Sequence, residues 1–143
     1  MINAPPVGRP PDSEDRSAPL GEMITRTLAM PADANPHGDI FGGWVLGQMD
    51  VAGGLAAAFR AKGRVATVAV TAMAFHKPVL VGDVVACHAE IERIGTTSVT
   101  VHVEVWVLRG GGGAAARRIK VTEGVFTYVA LDEQGRKRPV PPE

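Results

Sequence analysis

The sequence predicts an α+β domain, with a single long helix laid against a curved antiparallel sheet. Two patterns carry that expectation. Apolar and small residues alternate with polar ones in several separate segments, which is the period of a half-buried strand. Only one long segment has instead the 3.6-residue period of a helix. A lone helix with one apolar stripe needs a curved sheet to bury it.

The elements follow in chain order. Residues 1–18 hold four prolines, several charges and few large apolar residues, and they read as a disordered lead-in. The folded domain is expected over residues 19–131. EMITRTLAM (22–30) reads as a short first strand. The helix is expected from Gly43 to about Arg60, with Val45, Met49, Ala52, Ala56 and Phe59 forming its apolar stripe. RVATVAVTAMAF (64–75) and DVVACHAEIERI (83–94) are β-branched and alanine-rich strands. In SVTVHVEVWVL, Val99, Val101, Val103, Val105 and Val107 share one face, and Thr100, His102, Glu104 and Trp106 take the other. RIKVTEGVFTYVAL (118–131) is the last strand, and Gly110 to Gly113 with three following alanines suit a flexible hairpin loop before it. Residues 132–143 form a polar tail with a basic accent.

Composition narrows the function. The chain has 143 residues, 45% hydrophobic and 21% charged, and fifteen basic residues balance fifteen acidic ones. No basic stripe is available to track phosphates, so nucleic acid is not an expected partner. No apolar run reaches membrane-span length, and the proline-rich N-terminus has no apolar targeting segment, so no membrane association is expected. The lone Cys87 has no internal disulfide partner and reads as a small buried hydrophobe. A reducing, cytoplasmic setting fits. His37, His76, His88 and His102 are scattered, no cluster has metal-ligand spacing, and no metal is expected.

The chemistry concentrates in NPHGDIFGGWVLGQMD, residues 35–50. An aspartate on an apolar helix is costly unless it is paired, solvated or used. Gly43, Gly47, Asp50 and Gly54 fall at i, i+4, i+7 and i+11, a second stripe whose only side chain is the Asp50 carboxylate. Each interior glycine costs about 1 kcal/mol relative to alanine. Either another backbone packs closely there, such as a second copy of the helix, or the stripe is an open groove through which a substrate reaches Asp50. The two readings are compatible at a subunit interface. At the helix start the first NH groups lack internal partners and carry the positive end of the dipole. Gly42 and Gly43 would let a carbonyl oxygen approach them without a Cβ in the way. Asp50 lies about 10 Å further along the axis, within reach of an extended acyl group. Asp39, ahead of the helix, suits its N-terminal dipole.

TLAMPADANPHGDIFGGWVLGQMD, GRVATVAVTAMAFHKPVLVGDVV and GTTSVTVHVEVWV, taken in that order, resemble the YciA-type acyl-CoA thioesterases of the hotdog-fold superfamily over residues 22–131. The resemblance implies one α-helix wrapped by a five- or six-stranded antiparallel sheet. It also implies dimers joined edge to edge, assembled into homo-oligomeric tetramers or hexamers, with the active site between subunits. It implies that Asp50 is the catalytic carboxylate, acting as general base on water or as nucleophile through an anhydride. The amide of Gly43, or less favourably Gly42, would polarise the thioester carbonyl. Asn35 would position water or substrate across the subunit interface. Lys77 follows a strand where the family carries a basic residue able to meet CoA phosphates. Arg64, Arg93 and the turn Thr96, Thr97, Ser98 are further candidates, each also readable as a solvated group or turn former. Acyl-CoA is the expected small-molecule partner, and CoA belongs to substrate and product, so no separate cofactor is expected. The Gly-rich 110–116 segment and the short tail depart from the family pattern.

Two other functions compete. Hydratase chemistry on this fold uses Gly-Asp-x-Asn-Pro-x-His, whereas the order here is Asn-Pro-His-Gly-Asp. A non-catalytic acyl-CoA sensor would retain the fold without needing Asp50 or Asn35.

Overall fold

The computed structural model describes residues 18–110 and 116–143. The elements are β1 (Glu22–Leu28), a short 3-10 turn at Pro31–Asp33, α1 (Gly42–Ala61), β2 (Val65–Phe75), β3 (Val84–Ile94), β4 (Ser98–Arg109) and β5 (Arg117–Ala130). All five strands form one antiparallel sheet in the order β1-β3-β4-β5-β2, matching the expected helix wrapped by a curved sheet. Most of the expected glycine-rich loop, like the lead-in up to residue 17, lies outside the described residues.

The sheet wraps α1 because several strand pairings carry irregularities. Register shifts fall between Met23 and Thr25, between Ile91 and Arg93, and twice along β2, where Ala72 adopts a left-handed φ of 51°. Each bulge sharpens the local twist and bends the strand. The valines at 99, 101, 103, 105 and 107 of β4 are fully buried, packed with Phe126 and Tyr128 of β5 in the cluster that holds Val45, Met49, Ala52 and Ala57 of α1.

The helix stripe differs from the sequence expectation. Val45, Met49, Ala52, Gly53, Ala57 and Ala61 are buried, whereas Phe59 is 90% exposed. Phe59 stays within about 40° of Val45 around the helix axis, so its exposure reflects what covers the last turns of α1 rather than departure from the stripe. The far face of β4 also differs, since Glu104 and Trp106 are buried rather than solvated.

The tail packs rather than trailing away. Arg138 Nη2 donates to the carbonyl of Ala61 at 2.8 Å and Arg60 Nη1 to that of Pro141 at 2.7 Å. Val140 packs against the core. Arg138 thus satisfies the Ala61 carbonyl, which has no donor inside the helix, while Arg60 ties the tail back to the last turn of α1.

Candidate active site

Asp50 sits in the middle of α1, partly buried, facing the β2–β5 side of the sheet. Two hydroxyls meet one of its oxygens. Thr67 Oγ1, on β2, donates to Oδ1 at 2.7 Å. The Tyr128 hydroxyl, on β5, lies 3.0 Å from the same Oδ1 and 3.1 Å from the main-chain carbonyl of Asp50. No donor among the described residues takes Oδ2. Burial first, then the charge and hydrogen bond of Asp50, hold the Tyr128 phenol well above its ordinary pKa. The phenol therefore stays protonated and serves as a donor. The carboxylate opens onto a groove of about 390 Å³ shared with Val51, Gly54, Arg64 and Thr67.

The glycine stripe is partly open. A Cβ on Gly43 or Gly47 would meet nothing within 4 Å, as an accessible groove requires. Gly54 has room for a methyl group, because its nearest neighbour would be a Tyr128 ring carbon at 3.6 Å. The glycine that Tyr128 demands is Gly53, where a Cβ would lie 2.5 Å from the phenol oxygen. Thr67, Tyr128 and Gly53 are thus site residues that the sequence reading missed. One signal was available: Tyr128 shares the core-facing phase of β5 with Phe126, and a buried phenol wants a polar partner.

The helix begins at Gly42, and no side chain caps it. Trp44 and Val45 donate to the Phe41 carbonyl at 3.0 and 3.3 Å, and the amides of Gly42 and Gly43 have no acceptor among the described residues. Lys77 and Gly42 line one cavity beneath this end. That cavity and the Asp50 groove share no lining residue, so within one chain the amides and the carboxylate serve separate openings.

The remaining candidates fall elsewhere. Asn35 Oδ1 accepts the NH groups of His37 at 2.9 Å and Asp39 at 3.1 Å, which folds the loop before α1 and leaves its NH₂ group directed outside that turn. Asn35 does not line the Asp50 groove within one chain. Arg64 shares the Asp50 groove. The carbonyls of Thr96 and Thr97 accept from Val140 and Ala130, and Ser98 closes the turn by accepting from Gly95. This turn anchors the tail and lines neither opening.

The register also assembles a cluster that was not visible in the sequence. On the outer face His102, Glu104 and Glu123 bring ligand atoms within 4.8 Å of one another. The Lys120 ammonium already lies between the two carboxylates, 3.0 Å from Glu123 and 3.4 Å from Glu104. His76 and His102 reach Glu123 at 2.8 and 3.3 Å. The cluster thus carries its own internal cation. Cys87 is buried, and burial pushes its thiol up to about 11, consistent with an inert hydrophobe.

The family model described as thioesterase superfamily matches residues 37–114. The acyl-CoA thioester hydrolase YciA of Salmonella typhimurium is 50% identical over 125 residues, 87% of this chain and 94% of that protein. A hexameric thioesterase from Yersinia pestis superposes with a TM-score of 0.81 at 50% identity, covering 88% of this chain and all of the other. An acyl-CoA hydrolase from Staphylococcus aureus, solved with butyryl-CoA, CoA and CoA disulfide, superposes at 0.74 with 26% identity over 82% of this chain and 70% of its own. That enzyme has also been solved with one aspartate and with one asparagine replaced by alanine. No helix among the described residues is long and apolar enough to cross a membrane.

Proposed function

The chain belongs to the YciA-type acyl-CoA thioester hydrolases of the thioesterase superfamily, and from that premise we propose that it hydrolyses acyl-CoA to free CoA and a carboxylic acid. The observation that carries the assignment of Asp50 is its asymmetric carboxylate. Two hydroxyls hold Oδ1, Oδ2 has no donor among the described residues, and Asp50 lines a groove. Oδ2 is the reacting atom whether Asp50 takes a proton from the attacking water or attacks the carbonyl carbon itself. In either course the carbonyl oxygen gains charge near the Gly43 amide, with Gly42 beside it, the C–S bond breaks, and the CoA sulfur leaves as thiol after protonation; in the nucleophilic course water then hydrolyses the acyl–Asp50 anhydride to release the acid. CoA enters as part of the substrate, and the proposal assigns no separate cofactor or metal.

Asn35 completes the site from across a subunit interface. The aspartate and asparagine altered in the Staphylococcus aureus enzyme have the same separation in sequence as Asp50 and Asn35, which supports pairing them in function. The separate openings at the helix start and at Asp50 also favour a site built from two chains, within an assembly like the hexameric relatives. Lys77 and Arg64 flank the two openings and are assigned to CoA phosphates, with the Thr96, Thr97, Ser98 turn as a more distant contact. The lone buried thiol of Cys87 fits the cytoplasmic setting proposed for the chain.

Thiol release from a panel of short, long and aryl acyl-CoAs, by wild type and Asp50→Asn, tests the reading. Hydrolysis by the wild type is expected, with kcat lower by on the order of 10²-fold or more in the folded variant. Equal rates would move the base elsewhere. Tight CoA binding without hydrolysis of any thioester would assign a non-catalytic binding module instead.

A further inference from the structure

One residue that the Asp50 site does not use stands at a bulge in β5. Val105 pairs with Thr122 and Trp106 with Lys120, so Val121 has no residue opposite it. An extra residue in one strand breaks the period-two alternation. Lys120 and Glu123 accordingly meet on the outer face, while Val121 joins the core and Thr122 lines the cavity at the start of α1. Thr122 is 1% exposed, and its hydroxyl has no hydrogen-bond partner among the described residues. A buried hydroxyl in that condition is costly, and native proteins keep few of them. The cavity holds about 190 Å³ and is otherwise walled mainly by apolar side chains, including Val45, Phe75 and Val79, with Gly42 at the uncapped end of the helix. The residue with the orphan hydroxyl, Thr122, and one residue with an orphan amide, Gly42, therefore border one small cavity, and Gly43 follows Gly42 in the helix.

We propose that Thr122 contacts the substrate, its Oγ1–H donating to the thioester carbonyl oxygen seated beside the Gly42 and Gly43 amides. This rests on the acyl-CoA reading and extends it. The ligand class is a CoA derivative with a carbonyl next to the terminal sulfur or its replacement; free CoA has no such oxygen. The bond strengthens as the oxygen gains negative charge, so its loss falls mainly on kcat.

Thr122→Val removes the hydroxyl at nearly constant shape, and Thr122→Ser keeps it. Three quantities are read: steady-state hydrolysis, unliganded Tm, and calorimetric affinity for free CoA and for the ketone analogue with CH₂ in place of sulfur. The valine variant is expected to lose about 10- to 100-fold in kcat. Its affinity for the ketone should fall about tenfold while that for CoA holds, and its Tm should be unchanged or higher. The serine variant should stay within about threefold of wild type. Wild-type rates and an unchanged ketone-to-CoA affinity ratio in Thr122→Val would overturn the proposal, leaving the hydroxyl as a packing remnant. If the valine variant folds poorly, Thr122→Ala is read in the same way. Absence of hydrolysis by wild type would defeat the acyl-CoA reaction, yet the affinity ratio would still decide for or against Thr122. A wild type that binds neither ligand overturns both.

Discussion

Asp50, the carboxylate proposed to react, has little conformational freedom. Two donors on one oxygen restrain its rotamer and leave the other oxygen without a donor among the described residues. The Tyr128 hydroxyl also touches the helix backbone at Asp50, and that approach is possible only because position 53 has no side chain. Tyr128→Phe keeps the ring and should lower kcat about tenfold, the order expected for one hydrogen bond to a charged group. Gly53→Ala gains up to about 1 kcal/mol of helix propensity. It also forces a contact whose overpacking costs about 1–3 kcal/mol. Urea denaturation should find it net destabilised, and less so when Tyr128 is phenylalanine. An additive double-mutant cycle would show that the two positions do not communicate.

Among the elements, the β4–β5 pair does most to organise the molecule. One face of β4 is a valine wall, and the other buries Glu104, to which Trp106 Nε1 donates at 2.9 Å. Glu123 of β5 receives His102, Lys120 and His76. The hydrogen bond from His102 is the largest influence, and Lys120 and His76 reinforce it against burial, holding the Glu123 carboxyl well below its usual value of 4.5. A depressed folded pKa gives stability that is complete above the unfolded value and is lost as pH falls toward the folded one. Glu123→Gln should therefore be less stable than wild type at pH 7 by about 1–2 kcal/mol. The gap should narrow below about pH 4.5. Tm measured for both proteins across that range would refute this assignment if the gap stayed constant. A second ion pair steadies the loop that carries Lys77. Arg109 forks onto Asp83 at 3.0 and 2.8 Å and also reaches the Pro78 carbonyl.

At the scale of the whole molecule, the chain presents apolar surface that a single copy leaves uncovered. Val68, Val70 and Phe75 are exposed along β2, an edge strand of the sheet, and Val51, Leu55 and Phe59 are exposed along α1. An unpaired edge strand and an apolar helix face both invite a second copy. Light scattering is expected to give a mass of more than one chain, as the proposed two-chain site requires. A species of 15.0 kDa would rule out the two-chain site proposed for Asp50 and Asn35.

The sequence by itself determined the element order, the single helix and Asp50 as its misfit residue. Those signals are local: a two-residue or 3.6-residue period, and a glycine stripe around one carboxylate. Only the tertiary structure decided which hydroxyls hold Asp50, since Thr67 and Tyr128 reach it from different strands through pairings of high sequence separation. The turn of Thr122 toward the helix was hidden for the same reason. Strict alternation along RIKVTEG keeps Lys120 and Thr122 in phase, and the bulge that separates them exists only in the pairing with β4. The exposure of Phe59 and the burial of Glu104 likewise depend on what the sheet and tail cover. Periodicity states which residues share a face, whereas packing determines which faces are covered.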